Sequence, residues 1–266
     1  MVFLNAFAPS DGLRTTIAKK FAGSNATLLF LGPAGIVEVN DTACTADAGR
    51  VAAFTGIDGL RALAGAPQPA HTTIDPTAAA LDLFPGLSGL RGTRFGQPEP
   101  VAPRFYWRQA AAGSSNVHVL GRYAGGDRGA SAGQRPSLVS AELPAGYRAI
   151  FSGASALPAT LLRVFARAAG VHSYADCSRH HDCTVHASGN ALLIHAGSRS
   201  GARKLTLPEP LLVEDETGAS ICDQPCEAFE VALNATESRL FYVRRGAAEL
   251  GRGGGGQVLG AARLRI

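Results

Sequence analysis

With 266 residues, 46% of them hydrophobic, and a net charge of +4, the chain has material for one large domain or two modest ones. The sequence pI is about 8.9, yet the arginines are scattered and no basic run is interleaved with aromatics, which argues against nucleic acid as a partner. No apolar run approaches the ~20 residues of a helical membrane span, so a membrane partner is not expected either.

Val2 to Phe7 reads as a core strand with no basic n-region or cleavage site. An interior-type strand at this point implies a domain whose first strands lie upstream. Ser10 is placed to cap a helix marked by Leu13, Ile17 and Phe21, and Lys19 and Lys20 in its last turn complement the dipole. Thr27 to Leu31 is the next apolar strand, ended by Gly32-Pro33. This β-α-β order with short connections predicts parallel pairing and a right-handed crossover. Ala46 to Phe54 reads as a short helix stopped near Gly56.

From Gly56 to Pro103 the pattern weakens under frequent proline and glycine, and only His71 to Ile74 and Leu81 to Phe84 look ordered. Arg104 to Trp107, Val117 to Tyr123 and Ser137 to Leu143 each suggest a strand, with a hairpin-like loop from Gly125 to Gly133. Arg148 to Ser152 is an apolar strand running into a turn at Gly153. Ser155 is expected to cap the next helix and Pro158 to sit in its first turn, where a missing N–H costs nothing. Leu157, Leu161, Leu162, Phe165 and Ala169 give that helix an apolar face, and Gly170 stops it.

After Gly170 the period changes from 3.6 to 2. Cys183, Val185 and Ala187 alternate with Thr184 and His186. Further strands are expected at Ala191 to His195, Lys204 to Leu207, Leu211 to Asp215, Ala228 to Leu233 and Arg239 to Val243, which suits a small antiparallel sandwich. The organisation expected is therefore an α/β domain over 1–170, a β-sandwich over 171–245, and a Gly-rich linker and tail over 246–266.

Val2-Phe-Leu-Asn-Ala-Phe-Ala, then Thr27-Leu-Leu-Phe-Leu-Gly-Pro-Ala-Gly and Phe54-Thr-Gly-Ile, resemble the amidotransferase-like domain of β-galactosidase-related proteins, often called the β-galactosidase trimerisation domain. Phe151-Ser-Gly-Ala, Leu157-Pro, Leu161-Leu-Arg and Ala168-Ala-Gly-Val-His-Ser-Tyr174 look like its closing strand and helix. Ala191-Leu-Leu-Ile-His-Ala196, Lys204-Leu-Thr-Leu-Pro208 and Ser238-Arg-Leu-Phe-Tyr242 resemble the small β-domain that follows. The resemblance implies a flavodoxin-like parallel sheet of the class I glutamine amidotransferase type, N-terminally incomplete, and then the sandwich. It implies a non-catalytic assembly or accessory role, with the catalytic barrel N-terminal to this region and the partners a second copy or a glycosidase catalytic domain.

The amidotransferase fold invites a search for a Cys-His-Glu triad, whose nucleophile needs a tight Gly-flanked elbow. Cys44 lacks flanking glycines, no His-x-Glu pair exists, and Arg199 occupies the nucleophile position of Gly197-Ser-Arg-Ser-Gly201. A hydrolase or amidotransferase would have to assemble a scattered Cys/Ser-His site. Glycoside hydrolysis needs two carboxylates across the bond, and the one acidic cluster, Glu214-Asp215-Glu216, reads as a solvated turn. No catalytic residue is assigned and no cofactor is expected.

Binding candidates are Tyr106 and Trp107, which with Phe105 could stack on a sugar, and His172, Tyr174 and His195. An aromatic triplet on a strand points to both faces, so at least one of the three is core. A carbohydrate-binding module would show exposed coplanar aromatics on the sandwich. His195, on a strand, is read as a hydrogen-bonded core histidine. Cys177 and Cys183 are predicted to bridge, with pairing to Cys222 or Cys226 as the rival. Zinc held by Cys177, His180, His181 and Cys183 is the alternative for that loop. Sequons at Asn25, Asn40 and Asn234, with paired cysteines, favour an extracytoplasmic or secreted location.

Overall fold

The computed structural model describes residues 2, 3, 8–39, 44–47, 49–63, 68–101, 103–109, 116–124, 135–175, 177 and 182–246. The chain divides into two compact units, Met1–Gly170 and Val171–Ile266, and strands outnumber helices in both.

In the first unit, β1 (Val2–Phe3) leads to α1 (Asp11–Phe21) and β2 (Thr27–Leu31). Ser10 caps α1 as its side-chain type predicts, its Oγ accepting from the Leu13 N–H at 3.1 Å. A small hairpin of β3 (Val37–Val39) and β4 (Cys44–Ala46) precedes α2 (Gly49–Thr55). Then follow β5 (Leu60–Leu63), β6 (Gln68–Ile74), α3 (Ala78–Leu83) and a 3₁₀ turn at Pro85–Leu90. The unit continues with β7 (Arg94–Val101), β8 (Arg104–Trp107), β9 (Val117–Tyr123), β10 (Pro136–Glu142), β11 (Arg148–Ser152) and α4 (Ala159–Ala168).

Seven strands form one sheet in the order β1-β2-β11-β10-β9-β6-β7, while β5 and β8 pair separately. Only β1, β2 and β11 run parallel, and the remaining pairs are antiparallel, so the sheet is mixed where the sequence pattern predicts a parallel one. For β10 and β11 the cause is connection length. Glu142 and Arg148 are joined by a tight turn closed by the Leu143 N–H to the Tyr147 carbonyl, and so short a link permits only antiparallel pairing.

Both faces of the sheet are covered, which explains the unbroken apolar run of β2. Leu28 and Phe30 pack on one face with Ile17 of α1, Phe54 of α2 and Phe105 of β8. Leu29 and Leu31 pack on the other with Phe84, Leu87 and the Leu161 and Phe165 of α4. Pro158, not Ser155, is the N-cap residue of α4; the Ser155 hydroxyl instead donates to Gln97 Oε1. The proline-rich middle proves ordered. β7 runs through Pro98 and Pro100 as an edge strand, the place where a missing N–H is tolerated, with a bulge opposite Pro69 and Ala70.

The second unit holds β12 (Cys183–Ser188), β13 (Ala191–Ala196), β14 (Gly201–Asp215), β15 (Cys226–Leu233) and β16 (Ser238–Arg244), in the antiparallel order β12-β13-β16-β14-β15. The two strands expected at Lys204 to Leu207 and Leu211 to Asp215 are one long strand, β14. Its first half pairs with β15 and its end with β16, and pairing lapses between Thr206 and Leu211, where Pro208 and Pro210 remove donors. The strands enclose their own core of Leu192, Ile194, Leu205, Val213, Phe229 and Phe241. The readings made for 4–7, 125–133 and 247–266 lie outside the described residues.

Candidate functional site

Catalysis in an open α/β sheet belongs at the carboxyl ends of its parallel strands. At that edge the Ser152 hydroxyl donates to the Ala154 carbonyl at 2.6 Å and is fully buried. Tyr123 donates to the Phe105 carbonyl at 2.8 Å, with the buried Arg104 guanidinium 5.3 Å from its ring centre. Burial pushes the Tyr123 hydroxyl well above its ordinary value, against the smaller opposing effect of Arg104, so it stays protonated and serves as a donor. Thr72 and Ser137 hydroxyls meet at 2.9 Å. Gly153 lies so close to the Tyr123 hydroxyl and the Phe105 carbonyl that a Cβ would collide with both. These groups consume one another. The Tyr123 bond fastens β8 over the sheet edge, and none of these four hydroxyls is hydrogen-bonded to a histidine. A shallow depression between α1 and α2, lined by Ser10, Arg14, Arg50 and Phe54, is electropositive, but the side chain of Ser10 already occupies the helix terminus there.

The aromatics of β8 alternate as the strand period requires. Phe105 and Trp107 enter one core, and the Trp107 indole N–H donates to the Asp58 carbonyl at 2.9 Å, leaving no open face for a sugar. Tyr106 points to the opposite core and is half-buried beneath the Arg135 guanidinium, 4.5 Å from its ring centre.

In the second unit His172 and Tyr174 act on the chain itself. The His172 imidazole lies edge-on to the Tyr174 ring at 4.7 Å, and its Nε2 is 2.9 Å from the Thr206 carbonyl. The Thr206 N–H and hydroxyl in turn bond to the Tyr174 and Ser173 carbonyls at 2.7 and 2.8 Å. The segment from His172 to Ala175 is thereby stitched along β14. Cys177 and Cys183 are disulfide-bonded with Cα atoms 5.1 Å apart, and Cys222 and Cys226 with Cα atoms 6.4 Å apart. Both pairs are local, and the cross-pairing rival is not formed. Sulfurs bonded to each other are not thiolate ligands, which removes Cys177 and Cys183 from a zinc site; His180 and His181 lie outside the described residues.

His195 is exposed on β13, not a core residue, and its Nδ1 is 2.9 Å from the Ser238 hydroxyl of β16. This Ser-His contact across two strands escaped sequence reasoning, because its partners lie 43 residues apart. It lacks what a nucleophilic site needs. The nearby Glu237 carboxylate is taken by the Asn234 N–H and by Arg239, and the Ser238 backbone pairs with His195 in the sheet. Asp215 anchors its own turn, accepting from the Thr217 hydroxyl and the Thr217 and Ala219 N–H groups, while Glu214 pairs with Arg244. Asp182 and Arg203 form a largely buried ion pair at 2.6 Å beside the first disulfide. Among the described residues no group of three or more His, Cys, Asp or Glu could hold a metal ion. Asn25 and Asn234 are exposed in turns, and Asn40 lies outside the described residues.

The fold class is that of a portion of solved β-galactosidases. The β-galactosidase from Bacillus circulans sp. alkalophilus is similar with a TM-score of 0.58 at 13% identity, over 91% of this chain and 32% of that one. The cold-adapted β-galactosidase from Rahnella sp. R3 gives 0.53 at 11%, over 90% and 32%. The polyextremophilic enzyme from the Antarctic haloarchaeon Halorubrum lacusprofundi gives 0.52 at 14%, over 91% and 30%. The chain thus spans about a third of the length of each, and at these identities the likeness is one of fold. No family model matches the sequence, and no curated protein matches it.

Proposed function

We propose that the chain is the non-catalytic assembly and accessory region of a β-galactosidase-like carbohydrate-active protein, working beside a catalytic domain. In this reading Met1–Gly170 is an amidotransferase-like domain of the flavodoxin type, and the following unit is a small β-sandwich. The observation that carries it is the fold likeness over about nine-tenths of this chain to one third of each of several β-galactosidases. Parallel pairing of β1, β2 and β11, with α1 packed on one face and α4 on the other, supports the flavodoxin-type assignment. The closed hydrogen bonding at the carboxyl edge of the parallel strands supports a scaffold in place of a catalytic centre. Two disulfides support an oxidising compartment.

Turnover of nitrophenyl β-galactosides by the purified chain is the test. None is expected, because the clustered carboxylates of Glu214, Asp215 and Glu237 are each engaged by a neighbouring group. Turnover that scales with the chain and persists after host glycosidases are removed would overturn the proposal.

A further inference from the structure

Strand edges in the two sheets are not alike. At β7 the backbone edge is blunted by Pro98, Pro100 and a bulge, and β15 carries the exposed charges of Glu227 and Glu230. β1 is described over two residues only. β12 has none of these protections. It pairs with β13 in unbroken register over six residues, Cys183 with Ala196 through Ser188 with Ala191, and among the described residues no strand pairs with its other side. Its sequence, Cys-Thr-Val-His-Ala-Ser, contains no proline, lysine, arginine or carboxylate, and Thr184, His186, Ala187 and Ser188 are exposed. The disulfide to Cys177 holds its first residue in place. Straight, unprotected edges of this kind are templates for a further strand.

We infer that the β12 edge is an interaction surface whose occupant is β12 of a second copy of this chain, joined antiparallel about a two-fold axis normal to the sheet. That axis keeps the inner faces of both sheets on one side, as even-numbered register requires. It brings Val185 against its symmetry mate, Thr184 against His186, and Cys183 against Ala187. Because no acidic or basic carboxylate, ammonium or guanidinium group lies on the strand, the two copies meet without like-charge opposition. Self-pairing at β7 or β15 would instead bring together prolines or glutamates. This inference is independent of the accessory role proposed above.

The test is sedimentation velocity on the full chain across a wide concentration range, with hydrogen exchange of residues 183–188 followed in parallel. A reversible dimer is expected, with exchange protection of those amides rising as the dimer forms. Thr184→Lys, which places a charge on the exposed side of the edge, is expected to lose the dimer while keeping the melting temperature of the wild-type chain. Ala232→Lys, the same charge on β15, is expected to keep it. A wild-type monomer throughout the range would overturn the inference. So would a dimer that survives Thr184→Lys, or one that forms without protecting 183–188, since either places the contact elsewhere.

Discussion

Tyr123 condenses most of the chemistry at the carboxyl edge of the first unit into one side chain. Its hydroxyl is buried, bonded to the Phe105 carbonyl at 2.8 Å, and raised in pKa above the ordinary 10.0 by burial first. The unfolded chain ionises this tyrosine near its ordinary value and the folded chain does so only at higher pH. Its contribution to stability is therefore whole below pH 10.0 and is lost as pH rises towards the folded value. Tyr123→Phe should cost about 1–3 kcal/mol at neutral pH, since it leaves a buried carbonyl unpaired. The deficit should shrink in alkali, where the wild type alone falls on this account; urea titrations at neutral and alkaline pH measure the difference. A second residue-scale expectation concerns Gly96, held at φ +130° on β7 with a Cβ position that collides with the Ala70 carbonyl. Gly96→Ala should destabilise the first unit by about 1–3 kcal/mol or more, read as a lowered melting temperature with the second unit unaffected. Neither residue was legible in the sequence. Tyr123 ended an expected strand and Gly96 sat in a stretch whose prolines hid its order, and the partners that give each its role come from other strands.

Local patterns were read well wherever one element decides its own form. Ser10 caps α1, Lys19 and Lys20 close it, Gly170 follows α4, and Arg104–Trp107 and Val117–Tyr123 are strands at the expected residues. What failed was pairing direction and continuity. The antiparallel β10–β11 pair follows from a tight turn that a β-α-β reading of the first strands does not weigh, whereas β6 and β7 pair antiparallel across α3 and a 3₁₀ turn. The two strands expected at Lys204 to Leu207 and Leu211 to Asp215 are one, because the chain stays extended through Pro208 and Pro210 while pairing lapses and resumes with β15 at Leu211. The disulfide at Cys177 and Cys183 acts on this scale too. With the bonds from His172 to Ala175 onto β14, it ties the incoming segment of the second unit to β12. Replacing both cysteines by serine should cost on the order of 2 kcal/mol, the modest gain expected of a short loop, and should leave the β14–β15 pairing intact. Peptide mapping without reduction should return Cys177 with Cys183 and Cys222 with Cys226; mixed pairs would contradict the local arrangement.

For the molecule as a whole, composition and motif could exclude more than they could assign. The carboxylates are dispersed in the sequence, and in the structure Glu214, Asp215 and Glu237 each serve a neighbour within the second unit. The Ser238–His195 contact, visible only once strands are paired, adds a hydrogen bond without the acid and the donors that would make it reactive. A core of its own in the second unit makes the clearest whole-molecule prediction. The second unit buries Leu192, Ile194, Leu205, Val213, Phe229 and Phe241 against one another, and each of its strands finds its partners within 183–244. A domain of about 75 residues has little core to spare and often needs cross-links, and this one has two. A fragment spanning 171–246 should therefore fold alone when oxidised, with cooperative melting and dispersed amide resonances. Reduction should lower its melting temperature more than that of the first unit, where no disulfide is found among the described residues. An oxidised fragment with correct pairing that remains unfolded would mean that the second core is insufficient on its own.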